Sequence, residues 1–207
     1  MKRFLIVLGV FIFAFAILSV SILASSAIVY PSVGQVVRGN GPKTEISEIN
    51  YQLPVAGTVL PDSPFWSLKA LRDKVWYLIS PSPLKKAELA LLFSDKRLVS
   101  AQTLLGEGKA TIAISTLTKG EKYLELAVTE EKVARSQNYD TSEFLTKLAT
   151  ASLKHREVIG SLLPTVPEQG KPVVIAIENY SENSYKAARD VLYSKGMPVP
   201  IDPFDGD

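Results

Sequence analysis

The chain has 207 residues, with 23 Lys and Arg against 21 Asp and Glu, a length that suits one sizeable domain plus a leader or anchor. Once Lys2 and Arg3 are set aside the charges balance, which leaves no clustered basic face for a phosphate backbone and counts against nucleic acid as a partner. Cysteine is absent, which removes disulfides, thiol nucleophiles, thiolate metal sites and cysteine-borne lipid anchors.

Lys2 and Arg3 precede an apolar run from Phe4 to Ala24, interrupted only by Gly9, Ser19 and Ser21. As a helix of about 21 residues it would reach roughly 30 Å, the thickness of a bilayer core. The positive flank belongs on the cytoplasmic side, so the rest of the chain is expected outside. Secretory signals have shorter apolar regions, roughly 7–15 residues, and the length here favours an uncleaved single-pass anchor. Ser25, Ser26 and Ala27 nevertheless offer small residues for cleavage before Ile28. Residues 1–27 are thus an anchor or a signal peptide. The body is extracytoplasmic in both cases, anchored through residues 4–24 or secreted after cleavage at Ala27.

Residues 28–60 carry no sustained period, and Pro31, Gly34, Gly39, Gly41, Pro42, Pro54 and Gly57 break any helix. This stretch is expected to be a flexible tether. It ends at Pro61-Asp62-Ser63-Pro64-Phe65-Trp66-Ser67-Leu68-Lys69. Ser63 precedes proline and suits an N-cap, Pro64 suits the first helical position, and Asp62 complements the positive helix end. The spacing predicts a helix to about Ile79 with Leu68, Leu71, Val75 and Leu78 on one face. Ser82-Pro83 repeats the device and opens the central helix.

That helix carries Leu84, Leu91, Leu98 and Leu105 every seventh residue, with Ala87, Ser94 and Ala101 three residues after the first three. Large and small residues alternating on a stripe need a facing helix. Ala113, Gly120, Ala127 and Ala134 recur by sevens in the next segment, with Leu117 and Leu124 between them. The turn Gly106–Lys109 should close the two as a tight antiparallel pair, packed through Ala87, Leu91, Leu98, Ala101, Ala113, Leu117, Gly120, Leu124 and Ala127. Asp140 and Glu143 have capping-box spacing for a fourth helix, which continues through Leu145, Leu148, Ser152, His155, Ile159 and Leu162 and stops before Pro164. A fifth lies between Pro167 and Lys195, with a kink or a start at Pro172. Its stripe is expected at Val173, Ile177, Tyr180, Ser184, Ala187 and Val191, with Gly196 as its C-terminal cap. Residues 197–207, rich in proline, should form an extended or disordered tail.

The stretch Leu53-Pro54-Val55-Ala56-Gly57-Thr58-Val59-Leu60-Pro61-Asp62-Ser63-Pro64-Phe65-Trp66-Ser67-Leu68-Lys69 resembles the opening of a bacterial domain-of-unknown-function family, close to P-G-x-L-P-D-S-P-x-Y-x-L-K after a secretion signal or anchor. Lys85 to Leu89, Lys96 to Leu98, His155 to Ile159 and Val166 to Glu168 resemble its later helices, so the similarity spans roughly residues 53 to 192. This chain departs from the pattern at Ala56, where the family prefers proline, at an inserted Val59, and at Trp66 in place of tyrosine. The resemblance implies an extracytoplasmic helical domain and carries no catalytic residues.

Candidate sites are few. His155 is the only histidine. It falls on a buried stripe without the several His, Cys or carboxylate partners of a metal centre, and reads as a hydrogen-bonded core residue. Asp202, Asp205 and Asp207 lack the spacing and closing glutamate of a calcium loop. Phe65, Trp66, Trp76 and Tyr77 at helical spacing read as core rather than as a glycan platform or interfacial belt. No nucleophile elbow, phosphate loop or metal cluster is legible, so no catalytic, cofactor-binding or metal residue is assigned and no cofactor is expected. The expected architecture is all-α, an up-and-down bundle of five helical segments over residues 61–196 behind the anchor or signal peptide. The expected role is a non-catalytic interaction or structural module of the cell envelope with an unidentified protein partner. The alternative is an extracytoplasmic sensor of a small ligand or metal.

Overall fold

The computed structural model describes residues 49–205. The apolar run 4–24, the cleavage site and most of the expected tether lie outside the described residues. Among the described residues no helix is long and apolar enough to cross a membrane.

Among the described residues five α-helices follow one another: α1 Trp66–Leu78, α2 Pro83–Gly106, α3 Ala110–Ser136, α4 Ser142–Leu162 and α5 Lys171–Ser194. Short 3-10 turns at Leu163–Thr165 and Glu168–Gly170 join the last two. The described residues contain no strand. The helix ends follow local chemistry. Ser82 caps α2, its Oγ accepting from the Lys85 N–H at 3.3 Å with Pro83 just inside, which satisfies one of the free amides of a first turn. After α2, Gly108 at φ 75° lets its N–H reach the Leu105 carbonyl and the Lys109 N–H reach the Leu104 carbonyl. Asn138 at φ 63° closes α3 in the same left-handed way, and Gly196 at φ 67° closes α5. Three αL residues thus end three helices.

Two starts differ from expectation. The N-cap of α1 is Phe65, not Ser63. Ser63 instead receives the Phe65 N–H on its hydroxyl and the Trp66 N–H on its carbonyl, so Pro61–Phe65 forms a turn that postpones the helix by two residues. At α4 the Asp140 carboxylate accepts the Ser142 N–H at 3.0 Å, and the N-cap is Thr141, whose side chain makes no cap bond. The Asp140–Glu143 box does not form, because the helix starts one residue later, after Thr141, whose Oγ donates to the buried Glu131 at 2.6 Å. Pro172 stands in the first turn of α5, which resolves the kink-or-start alternative as a start.

The α2–α3 hairpin and the α4–α5 hairpin pack together, with α3 against α5 and α2 against α4. Gly120 shows how close the first pair comes: an added Cβ would stand 3.1 Å from Arg97 Cβ, 3.5 Å from the Ser94 carbonyl and 3.6 Å from the Leu98 amide. Ala87, Leu91, Leu98, Ala101, Ala113, Leu117, Leu124 and Ala127 are all buried to 1 % exposure or less. They divide between two apolar clusters. One joins Ala87, Leu91, Leu124 and Ala127 to Leu145 and Leu148 of α4 and Leu192 of α5. The other joins Leu98, Ala101, Ala113 and Leu117 to Ile159, Val174 and Ile177.

The buried face of α5 is Val174, Ile177, Ser181, Ser184, Tyr185, Ala188 and Leu192. Ile177 and Ser184 of the expected stripe are buried, whereas Tyr180, Ala187 and Val191 are half-buried beside buried Ser181, Ala188 and Leu192, and Val173 is exposed beside buried Val174. Both termini of the described chain are docked rather than loose. Ile49 and Tyr51 from the expected tether, and Met197, Val199 and Phe204 from the expected tail, pack against the first cluster. Tyr185 donates to the Pro200 carbonyl at 2.8 Å, Arg156 lies 4.7 Å over the Phe204 ring, and Asp202 receives the Phe204 N–H. Over residues 197–205 the tail is held in place because Met197, Val199 and Phe204 are partly sheltered from water against that cluster, while Ile201 is exposed.

Candidate functional site

The chemistry-bearing residues converge on one layer between the two apolar clusters. His155 in α4 has no exposed surface. Its Nδ1 faces Glu121 Oε1 of α3 at 2.6 Å and its Nε2 faces Asp95 Oδ1 of α2 at 3.0 Å. An acidic oxygen faces each ring nitrogen, an arrangement that favours the doubly protonated imidazolium. Burial alone would push its pKa down, but the charge of Glu121 and the bonds to Asp95 and Glu121 outweigh it and hold the group up at about 10. The second oxygen of each carboxylate is also used. Asp95 Oδ2 receives the Tyr51 hydroxyl at 2.7 Å, and Glu121 Oε2 receives the Ser181 hydroxyl of α5 at 2.5 Å. Four helices and the N-terminal segment therefore meet at one ring. Both ring nitrogens and all four carboxylate oxygens thus have a partner within the protein, and none of the three side chains reaches solvent. Among the described residues no group of three or more His, Asp or Glu side chains is arranged to hold a metal ion.

Sequence reasoning found His155 on its stripe but missed Asp95, Glu121, Tyr51 and Ser181, which complete the layer. The signal was present: Asp95 follows Leu91 by four, and Glu121 lies between Leu117 and Leu124. A charge on an otherwise apolar stripe must find a buried counter-charge.

Beside this layer, α3 and α5 border a solvent-open groove of about 610 Å³ lined by Glu125, Thr129, Lys132, Tyr180, Asn183 and Ser184. Tyr180 and the carboxylate of Glu125 line it, whereas His155 does not.

The motif before α1 works as a staple. Asp62 pairs with Lys109 of the α2–α3 turn at 2.5 Å, and that ammonium holds the carboxyl below its usual range. Lys69 donates to the Val59 carbonyl at 2.9 Å and lies 4.9 Å over the Trp66 ring. Pro61 and Ser63 are half-buried, and Pro64 and Phe65 are exposed. From there α1 runs antiparallel to α2: Trp66 lies under Arg97, Trp76 packs edge-on to Phe93 at 6.1 Å, and Tyr77 lies under Lys86. Tyr77 also donates to Glu130 of α3. The inward face of α1 is thus aromatic and charged. Its leucines point the other way, with Leu68 63 %, Leu71 55 % and Leu78 63 % exposed. That corrects the expectation for the aromatic group in part: Trp66, Trp76 and Tyr77 are half-buried, while Phe65 is exposed.

A family model described as Domain of unknown function (DUF5667) matches residues 58–169, from the turn before α1 to the link before α5. Neither the comparison with curated proteins nor that with solved structures returns a match.

Proposed function

We propose, for a chain that belongs to the family described as Domain of unknown function (DUF5667), a non-catalytic role: an extracytoplasmic interaction or structural module of the bacterial cell envelope, held to the membrane through residues 4–24. The observation that supports this reading is the closure of the His155 layer. A general base must reach a substrate proton directly or through one water. His155, Glu121 and Asp95 are sealed from solvent, and their ring nitrogens and carboxylate oxygens are bonded to one another, to Tyr51 and to Ser181. Such a layer acts on the fold, fixing the register of four helices as a buried polar set can.

Photo-reactive residues placed one at a time on exposed positions in living cells test it. An interaction module should give one dominant envelope adduct recurring at neighbouring positions. No adduct above background at any position would sink the reading. Retention of the anchor is tested separately, by an intact mass that includes residues 1–27 and by co-fractionation with membranes. The second reading, a small-ligand sensor, draws on the α3–α5 groove with Tyr180, Asn183 and Lys132. A ligand-dependent rise in melting temperature abolished by Tyr180→Ala would favour it.

A further inference from the structure

We propose that the outward face of α1 rests on the membrane surface, so that the bundle lies against the bilayer instead of swinging free of it. The inference rests on the anchored placement proposed above and names the surface that the domain engages. Leu68, Leu71, Val75, Leu78 and Ile79 occupy about 100° of the helix at successive turns. Val75 is half-buried, and the other four are each more than half exposed. Elsewhere the large exposed apolar side chains are spread over several elements, Ile112 and Val133 on α3, Val173 and Ile175 on α5. A contiguous stripe on one short helix is the signature of an interaction surface.

Three observations select lipid as the occupant. The first is charge. Lys69, Arg72 and Lys74 stand against Asp73 alone on α1, and Lys96 and Arg97 of α2 adjoin the same seam. Asp73 is buried and paired with Arg72 at 2.8 Å. Arg97 is buried and Lys69 is turned inward onto Val59 and Trp66, so the cations that flank the apolar stripe are exposed Lys74 and partly exposed Arg72, a cationic border of the kind found on helices that lie in an anionic headgroup layer. The second is reach. Residues 25–48, 24 in number, separate the apolar run from Ile49, and at full extension they span no more than roughly 80–90 Å. An anchored bundle is thus never far from the bilayer, and its first helix is among the parts nearest the anchor along the chain. The third is size. Four aliphatic side chains offer on the order of a few hundred Å², short of the roughly 800 Å² that each partner of a standard protein interface covers. Insertion into the headgroup boundary to about 5–10 Å needs only one helix face.

The absence of cysteine makes the test direct. Full-length chains carrying Leu71→Cys or Tyr193→Cys, each labelled with an environment-sensitive fluorophore, are reconstituted in phosphatidylglycerol–phosphatidylcholine vesicles containing nitroxide-labelled lipid. Tyr193 lies on α5 and is 80 % exposed. The label at residue 71 should be quenched at least threefold more than that at 193, and Leu68→Ser with Leu78→Ser should bring the two to parity. Circular dichroism of each variant checks that the bundle is intact, and Leu78→Cys serves as a second reporting position should the residue 71 label disturb the fold. Equal weak quenching at 71 and 193 overturns the proposal. So does protection at 71 that grows with protein density but not with nitroxide lipid, which would mean a second copy covers the stripe. Flotation of the chains with the vesicles reports the anchor independently. Failure to float overturns the anchored reading, whereas flotation without preferential quenching overturns only the docking of α1.

Discussion

Gly120 and His155 are the two residues on which most of the interior depends, and they act in different ways. At Gly120 the missing side chain is the function: α3 can lie on the backbone of α2 because nothing projects between them. Gly120→Leu should destabilise the protein by about 2 kcal/mol or more, since overpacking forces side chains and backbone apart. Urea unfolding measures it, and an unchanged midpoint would mean that the helices are not in close contact there. At His155 the charge is the function. His155→Leu leaves Glu121 and Asp95 facing each other without a cation, and a buried charge stripped of its partner costs roughly 3–5 kcal/mol. Adding Glu121→Gln and Asp95→Asn to that variant should recover part of the loss. The ring also fixes a pH dependence. Its folded pKa, about 10, lies above the 6.5 of a free histidine, so the folded state holds the extra proton. That contribution is complete below pH 6.5 and is lost as pH rises from 6.5 towards 10. The melting temperature of the wild type should fall across that window relative to the triple neutral variant, which has no such decline.

At the scale of elements, α1 and α2 show how similar local signals lead to opposite outcomes. Both follow a Ser-Pro pair. At α2 the pair is a cap in the ordinary sense, and Ser82→Ala should cost about 1 kcal/mol of stability. At α1 the equivalent serine lies in a turn upstream of the helix, so Ser63→Ala should change stability less than Ser82→Ala; calorimetry of the two variants side by side decides it. The orientation of α1 has a physical cause. Trp66, Trp76 and Tyr77 each carry more area than a leucine and also find Arg97, Phe93 and Lys86 on α2. Ring-edge and cation–ring contacts add to the area they cover. The aromatic face therefore takes the inward side and the leucine stripe is left outside.

For the whole molecule, the bundle is closed by chain segments with no regular structure. Ile49 and Tyr51 enter from one end of the sequence, and Met197, Val199 and Phe204 from the other, onto the same apolar cluster. Removing residues 197–207 should lower stability by roughly 2–4 kcal/mol, from the transfer cost of three partly covered side chains. A truncated chain with an unchanged urea midpoint would show that the tail contributes nothing to the fold.

The residue pattern alone specified five helical segments and the closeness of the α2–α3 pair, but not where α1 and α4 begin. Those features rest on short-range information: a proline after a serine, a glycine or asparagine where φ turns positive, small residues recurring by sevens. It also marked His155 as buried. Only the tertiary structure decided which side of α1 faces outward, which acids hold His155, and that both loose-looking ends are docked. Each of these depends on residues far apart in the chain, such as Asp95 with His155 or Tyr185 with Pro200. Periodicity shows that a helix has a face to bury. Which of two candidate faces is buried is set by what the rest of the fold offers to each.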